Sequence, residues 1–151
     1  MSPIDQPDMA RALHAADRLE IMQLGARFDN ALDAEDAQKF GSVFVHNSVL
    51  AGFWGESRGP EQIEGAFHFM LATFARNRRH VVSNQEIGVH GDSAEMLSYL
   101  TVFDRQTLAL IGTAAFHDTL RREDGSWLFT RRTLNADPNV DSIIESLRSH
   151  S

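Results

Sequence analysis

The sequence predicts an α+β domain in which helices come first and an antiparallel sheet follows. Three observations carry that expectation. Apolar residues recur at helical spacing early in the chain, strand-like segments take over from Arg79, and Gly91-Asp92 and Asp124-Gly125 fall where hairpins must turn.

From Asp8 to Leu32 the pattern is helical: Leu24, Phe28 and Leu32 stand at i, i+4 and i+8, with Ile21 and Gly25 on the same face. Arg18, Glu20 and Arg27 take other faces. Ala34-Glu35-Asp36 breaks the helix, and Asp36 is placed to cap a short helix through Phe40 and Phe44. Ser48 to Trp54 reads as a strand, closed by a turn at Gly55-Glu56-Ser57-Arg58-Gly59. Pro60 suits the first position of a helix, and Glu61 in its first turn complements the dipole. Ile63, Phe67, Met70, Leu71 and Phe74 line one side of it.

Four strands follow: His80–His90, Ser93–Asp104, Leu108–Arg122 and Trp127–Asn135. In the second, Met96, Leu97, Tyr99, Leu100, Val102 and Phe103 put apolar groups on both faces. That predicts one face against the helices and the other against a second subunit, in a homodimer or homotrimer, with Leu100 and Val102 as the positions for a test. Residues 137–151 read as a loosely attached tail with a short helix, so the chain is expected to be one domain, 1–151, with an ordered core of about 8–136.

At 151 residues there is room for one domain, which buries roughly 70% of its unfolded surface. The absence of cysteine excludes disulfides, thiolate metal sites and a cysteine nucleophile. A formal charge of −7 argues against nucleic acid as a partner, and the basic run Arg76-Asn77-Arg78-Arg79 reads as a solvated connection. Lys39 is the one lysine and lacks the apolar surroundings that Schiff-base chemistry needs. No segment approaches the ~20 apolar residues of a membrane span, and nothing at the N-terminus reads as a signal peptide, so a cytoplasmic location is expected.

Two motifs invite chemistry and are better explained as turns. Gly55 to Gly59 matches the G-x-S-x-G of a nucleophile elbow, but that device needs a parallel sheet with its acid and histidine following. His90-Gly91-Asp92 matches part of an iron-binding motif but sits where a hairpin turn is wanted. No metal ligand set and no cofactor is expected.

Ala31-Leu32-Asp33 at the end of the long helix and Arg79-His80-Val81-Val82-Ser83-Asn84 opening a strand are more informative. With Arg58-Gly59-Pro60-Glu61-Gln62-Ile63, Phe116-His117-Asp118, Asp124-Gly125-Ser126-Trp127 and Arg132, their order resembles the SnoaL-like branch of the nuclear transport factor 2-like superfamily. The resemblance runs from about Arg18 to Asn135 and implies a cystatin-like α+β roll with a cone-shaped apolar pocket. The motifs are most similar to the lyase group that includes lindane dehydrochlorinase, bile acid 7α-dehydratase and scytalone dehydratase.

In that group an aspartate at the helix end pairs with a histidine on the facing strand, which implies Asp33 and His80 here. The chemistry is sound: a carboxylate that accepts the Nδ1–H of an imidazole fixes its tautomer and leaves Nε2 free to take a proton. In an apolar pocket such a base removes a proton beside a leaving hydroxide or halide, giving an alkene. Phe28 replaces a tyrosine frequent in relatives, and Asp29, one helical turn before Asp33, either shares the face of the site or is solvated, the second being the expectation. Asn84, Tyr99, His117 and Arg132 are candidate polar groups of the pocket, although strand parity cannot turn all of them inward. Phe28, Trp54, Phe103 and Phe116 are candidate walls.

The expected function is a cofactor-independent lyase or isomerase acting on a small hydrophobic cyclic or polycyclic molecule, with His117 or Arg132 aiding the leaving group. Two alternatives stay open: a non-catalytic ligand-binding or oligomerising module, and the small structural subunit of a ring-hydroxylating dioxygenase.

Overall fold

A computed structural model describes residues 6–138 and sets a long helix, α1 (Gln6–Asp33), against the inner face of a six-stranded sheet. Ile21, Leu24, Phe28, Ala31 and Leu32 are buried along the face that their spacing marks. Polar groups fix the rotation of the helix about its axis. Asp17 accepts from the indole Nε1 of Trp127 at 3.0 Å, and Glu20 accepts from the Trp127 backbone N–H at 2.9 Å. Arg18 donates to the carbonyl of Ile87 at 3.3 Å. That rotation decides which residues of the last two turns reach the interior.

Asp36 caps α2 (Ala37–Gly41), its side chain accepting from the Lys39 N–H at 3.0 Å. Phe44 belongs not to this helix but to the first strand, β1 (Phe44–Gly52), where β-branched valines flank it. Gly55–Arg58, expected as a turn, forms a short strand, β2, paired antiparallel to β1 from Val49↔Arg58 to Gly52↔Gly55. Ser57 thus lies opposite Leu50 on an edge strand of this hairpin. A nucleophile elbow needs a sharp strand-to-helix turn at the serine, and Ser57 has none.

The next helix, α3 (Gly59–Met70), starts as Pro60 predicts and runs on into a π-helical turn, Leu71–Ala75. Four long strands complete the chain: β3 (Arg78–His90), β4 (Ser93–Asp104), β5 (Leu110–Glu123) and β6 (Ser126–Ala136). The order across the sheet is β2-β1-β6-β5-β4-β3, antiparallel throughout except for the parallel β1–β6 pair. At the β5–β6 turn Asp124 and Gly125 hold φ of 51° and 81°, the two positive angles of a type I′ hairpin.

Bulges decide which strand residues face the helices. In β3, Asn84 and Gln85 together stand opposite the single Ser98, between the pairs Ser83↔Tyr99 and Glu86↔Leu97, and Asn84 takes a φ of 56°. In β6, Thr130 is inserted between Leu120↔Phe129 and Thr119↔Arg131, so Arg132 rather than Arg131 faces inward after Phe129. On β4 the inner face carries Ala94, Met96, Ser98, Leu100 and Val102, and the outer face carries Leu97, Tyr99, Thr101 and Phe103. Leu100 and Val102 therefore do not report on an outer interface as expected.

The core joins α1 to Phe40, Ile63, Phe67 and Met70 of the smaller helices and to Met96, Phe116, Leu120, Trp127 and Phe129 of the sheet. Asp137 is tied to β5, with its N–H donating to the Thr113 carbonyl at 3.0 Å. The helix expected in the tail falls on residues 139–151, outside the described ones. Among the described residues no helix is long and apolar enough to cross a membrane.

Candidate active site

Asp33 closes α1, at the negative end of the helix dipole, where a carboxylate is poorly placed unless donors meet it. They do. The edge strand β3 presents the His80 backbone N–H, which donates to the Asp33 carboxylate at 3.2 and 3.3 Å. The His80 ring brings Nδ1 to 2.6 Å from Asp33 Oδ1, and Arg79 Nη1 lies 3.2 Å from Oδ2. Both the His80 and Asp33 side chains are only 5% exposed. With the ring neutral, this contact selects the Nδ1–H tautomer and leaves Nε2 as the acceptor.

The basic run that leads into this strand is ion-paired, while Arg76 and Arg79 stay exposed to solvent as expected. Arg76 meets Glu35 at 3.0 Å, Arg78 meets Asp104, and Arg79 meets Asp33. The connection that delivers His80 is thereby held at Arg76, Arg78 and Arg79.

Arg132 is wholly buried and lies directly across from Asp118 in the β5–β6 register, with its Nε 3.3 Å from Asp118 Oδ1. The Phe116, Phe28 and Phe129 rings surround its guanidinium carbon at 3.7, 4.4 and 4.7 Å. Such rings stabilise a cation through their electron-rich faces. They do not supply hydrogen bonds. Among the described residues, none of the three guanidinium nitrogens has a hydrogen-bond partner, nor does either Asp118 oxygen.

Asp29, one helical turn before Asp33, is 2% exposed, and both its oxygens also lack partners among the described residues. Burial pushes its pKa up to about 6, against the pull of the Arg132 and His80 charges. Burial raises Asp118 to about 7, opposed by Arg132 and reinforced by Asp29. The expectation that Asp29 is solvated is corrected: its i, i+4 relation to Asp33 puts it on the same inward side of α1.

Asp33, His80, Arg132, Phe28 and Phe116 thus share the interior. Five other candidates do not. Asn84 is exposed on the β3 bulge, and His117 is exposed on the outer face of β5. Tyr99 is 44% exposed on the outer face of β4, which Phe103 shares. Trp54 sits on the β1–β2 hairpin and lines a separate cleft of about 320 Å³ against α3. Sequence reasoning weighed Asp29 and preferred the solvated reading, and it missed Asp118 and the buried Ser98 as site residues. For Asp118 a signal existed, since it alternates with Ala114, Phe116 and Leu120 on one strand face.

A family model described as the SnoaL-like domain matches residues 13–133. No curated protein matches the chain. Among solved structures, a Nostoc punctiforme protein of unknown function with a cystatin-like fold is 43% identical and superposes with a TM-score of 0.81. That match covers 82% of this chain and 93% of the other. A Novosphingobium aromaticivorans protein named for scytalone dehydratase is 21% identical, with a TM-score of 0.71 over 82% and 86% of the two chains. LinA is 20% identical, with a TM-score of 0.73 over 82% and 88%. At these identities the last two show the fold.

Proposed function

This chain belongs to the SnoaL-like domain family, and from that premise we propose that it is a cofactor-independent lyase or isomerase acting on a small hydrophobic cyclic or polycyclic molecule. The observation that carries the reading is the 2.6 Å contact between His80 Nδ1 and Asp33, made by two side chains almost withdrawn from water. His80 Nε2 takes a proton from carbon, the electron pair of that bond forms the double bond, and a hydroxide or halide departs from the neighbouring carbon. Asp33 holds the ring in orientation and offsets the positive charge that forms on it. Arg132 supplies a buried positive charge for the oxygen or halide that gains electrons.

The name of one structural neighbour, scytalone dehydratase, carries loss of water, the reaction type proposed here. A shared fold is weak support for a shared reaction, so the argument rests on the pair. The test is turnover of cyclic β-hydroxy ketones and chlorinated ring compounds by the wild type, Asp33→Asn and His80→Ala. Losses of about 100-fold or more in both variants are expected. Undiminished turnover by both, on any substrate the wild type converts, overturns the reading.

A further inference from the structure

We propose that Asp29 is the acid of this site, giving its proton to a hydroxyl that leaves as water while Arg132 and Asp118 hold that oxygen. The inference rests on the reading of His80 as the base that removes a proton, and adds the residue that supplies one.

Its first support is an accumulation of polar atoms without partners. Two oxygens of Asp29, two of Asp118 and three nitrogens of Arg132 are buried with no hydrogen-bond partner among the described residues, and the buried Ser98 hydroxyl joins them. Buried polar groups are satisfied in the great majority of cases. Setting aside the 3.3 Å ion contact between Arg132 Nε and Asp118 Oδ1, five atoms on these three residues are left unmet and mark a place prepared for a polar guest. Donors and acceptors are both present, which suits a hydroxyl, since it gives and accepts at once.

The second support is charge. The charges that act on Asp29 are those of Arg132 on β6, His80 on β3 and Asp33 on its own helix, and Asp29 in turn acts on Asp118 of β5. Asp33 is committed to His80 and Arg79. That leaves two buried carboxyls, Asp29 and Asp118, to share one guanidinium, and such a pair retains a proton. Asp118 lies against Arg132 in the sheet register, whereas Asp29 stands one helical turn from Asp33, the carboxylate of the dyad. Phe28 beside it has no proton to give.

The step balances. His80 Nε2 takes the proton from carbon, and the C–H electron pair becomes the π bond. The C–O bond breaks with its pair on oxygen, and Asp29 protonates that oxygen, so an alkene and water form. The imidazolium then releases a proton to solvent and Asp29 regains one, with no oxidant or reductant consumed.

Infrared spectroscopy of the ligand-free protein at pH 6 tests the idea without any substrate. A protonated-carboxyl band is expected in the wild type and is lost or reduced in Asp29→Asn. Its absence from the wild type, or its persistence unchanged in Asp29→Asn, overturns the proposal. A matched bicyclic β-hydroxy ketone and β-chloro ketone give the second readout, because chloride leaves without protonation. Asp29→Asn, with Asp29→Ser as its control for packing, should lose about 100-fold or more on the alcohol and less than about threefold on the chloride. Equal losses on both overturn the acid role. Full turnover of both by His80→Ala overturns the base reading instead, and leaves the infrared result for Asp29 standing.

Discussion

Asp29 and Asp33 lie one turn apart on α1, yet the Asp33 carboxylate accepts from the backbone and ring of His80 whereas Asp29 meets no donor among the described residues. One carboxylate is spent on holding a base. The other is left with its oxygens bare in a buried space, which pushes it toward its protonated form.

Asp33→Ala strands the His80 backbone N–H and ring N–H together, so it should cost about 1–3 kcal/mol in stability. Urea denaturation measures the loss. Nitrogen-edited NMR should show a hydrogen-bonded Nδ1–H signal for His80 in the wild type and none in the variant. An unchanged spectrum would mean that the ring does not bond to Asp33.

Stability should fall as pH rises, and Asp29 sets part of the slope. Between its ordinary value of 3.8 and about 6, the folded chain binds a proton there that the unfolded chain releases. The stabilisation is complete below that window and lost as pH rises through about 6, and Asp118 extends the loss to about 7. Asp29→Asn should flatten the curve and make the protein about 1–3 kcal/mol more stable at pH 8. Urea midpoints at pH 5 and 8 decide it, and an unaltered slope would contradict the assignment.

The Arg132–Asp118 pair should prove strongly coupled. Arg132→Met leaves a buried carboxylate without its cation and is expected to cost about 3–5 kcal/mol, measured at pH 8. Adding Asp118→Leu should recover most of that, because two apolar groups then fill the space. Additive losses in the double variant would show that the two charges do not depend on each other.

Much of this was readable beforehand. The buried stripe of α1, the Asp36 cap, the Pro60 start and both hairpin turns follow from local spacing and turn chemistry, and the structure keeps each of them. Asp33 and His80 were legible because each stands at the end of an element, where pattern and motif agree. Asn84, Tyr99, His117 and Phe103 were misplaced because facing depends on strand register. The bulge at Asn84 shifts β3 where no glycine announces it, whereas through Tyr99, Phe103 and His117 the alternation is regular and only its phase against the helices was unknown. Strand β2 was missed since Gly-Glu-Ser-Arg has little preference for extended structure and is held there by its pairing with β1.

The outward residues allow a direct test of the homo-oligomer expected from the two-sided strands. Val81 and Tyr99 are 42% and 44% exposed on the outer face. Tyr99→Lys should lower the molar mass in light scattering to that of a monomer, with stability changed by no more than about 0.5 kcal/mol. A native chain that is already monomeric, or a variant that stays assembled, refutes assembly through this face. Leu100→Lys should instead unfold the protein, since that side chain is buried against the helices.

Thr130 carries a consequence for comparing this chain with its relatives. Arg131 and Arg132 are neighbours with opposite destinations: the first reaches out to Glu56 at 2.8 Å, and the second is sealed among three aromatic rings. Straightening the bulge with Thr130 kept in the strand would exchange them, sending the outer arginine in and the inner one out. The interior would still hold a guanidinium, so the doublet acts as a spare against strand slippage. Homologues should therefore be lined up by counting from the irregularity in the strand, because an arginine matched by letter alone can belong to the wrong side of the sheet.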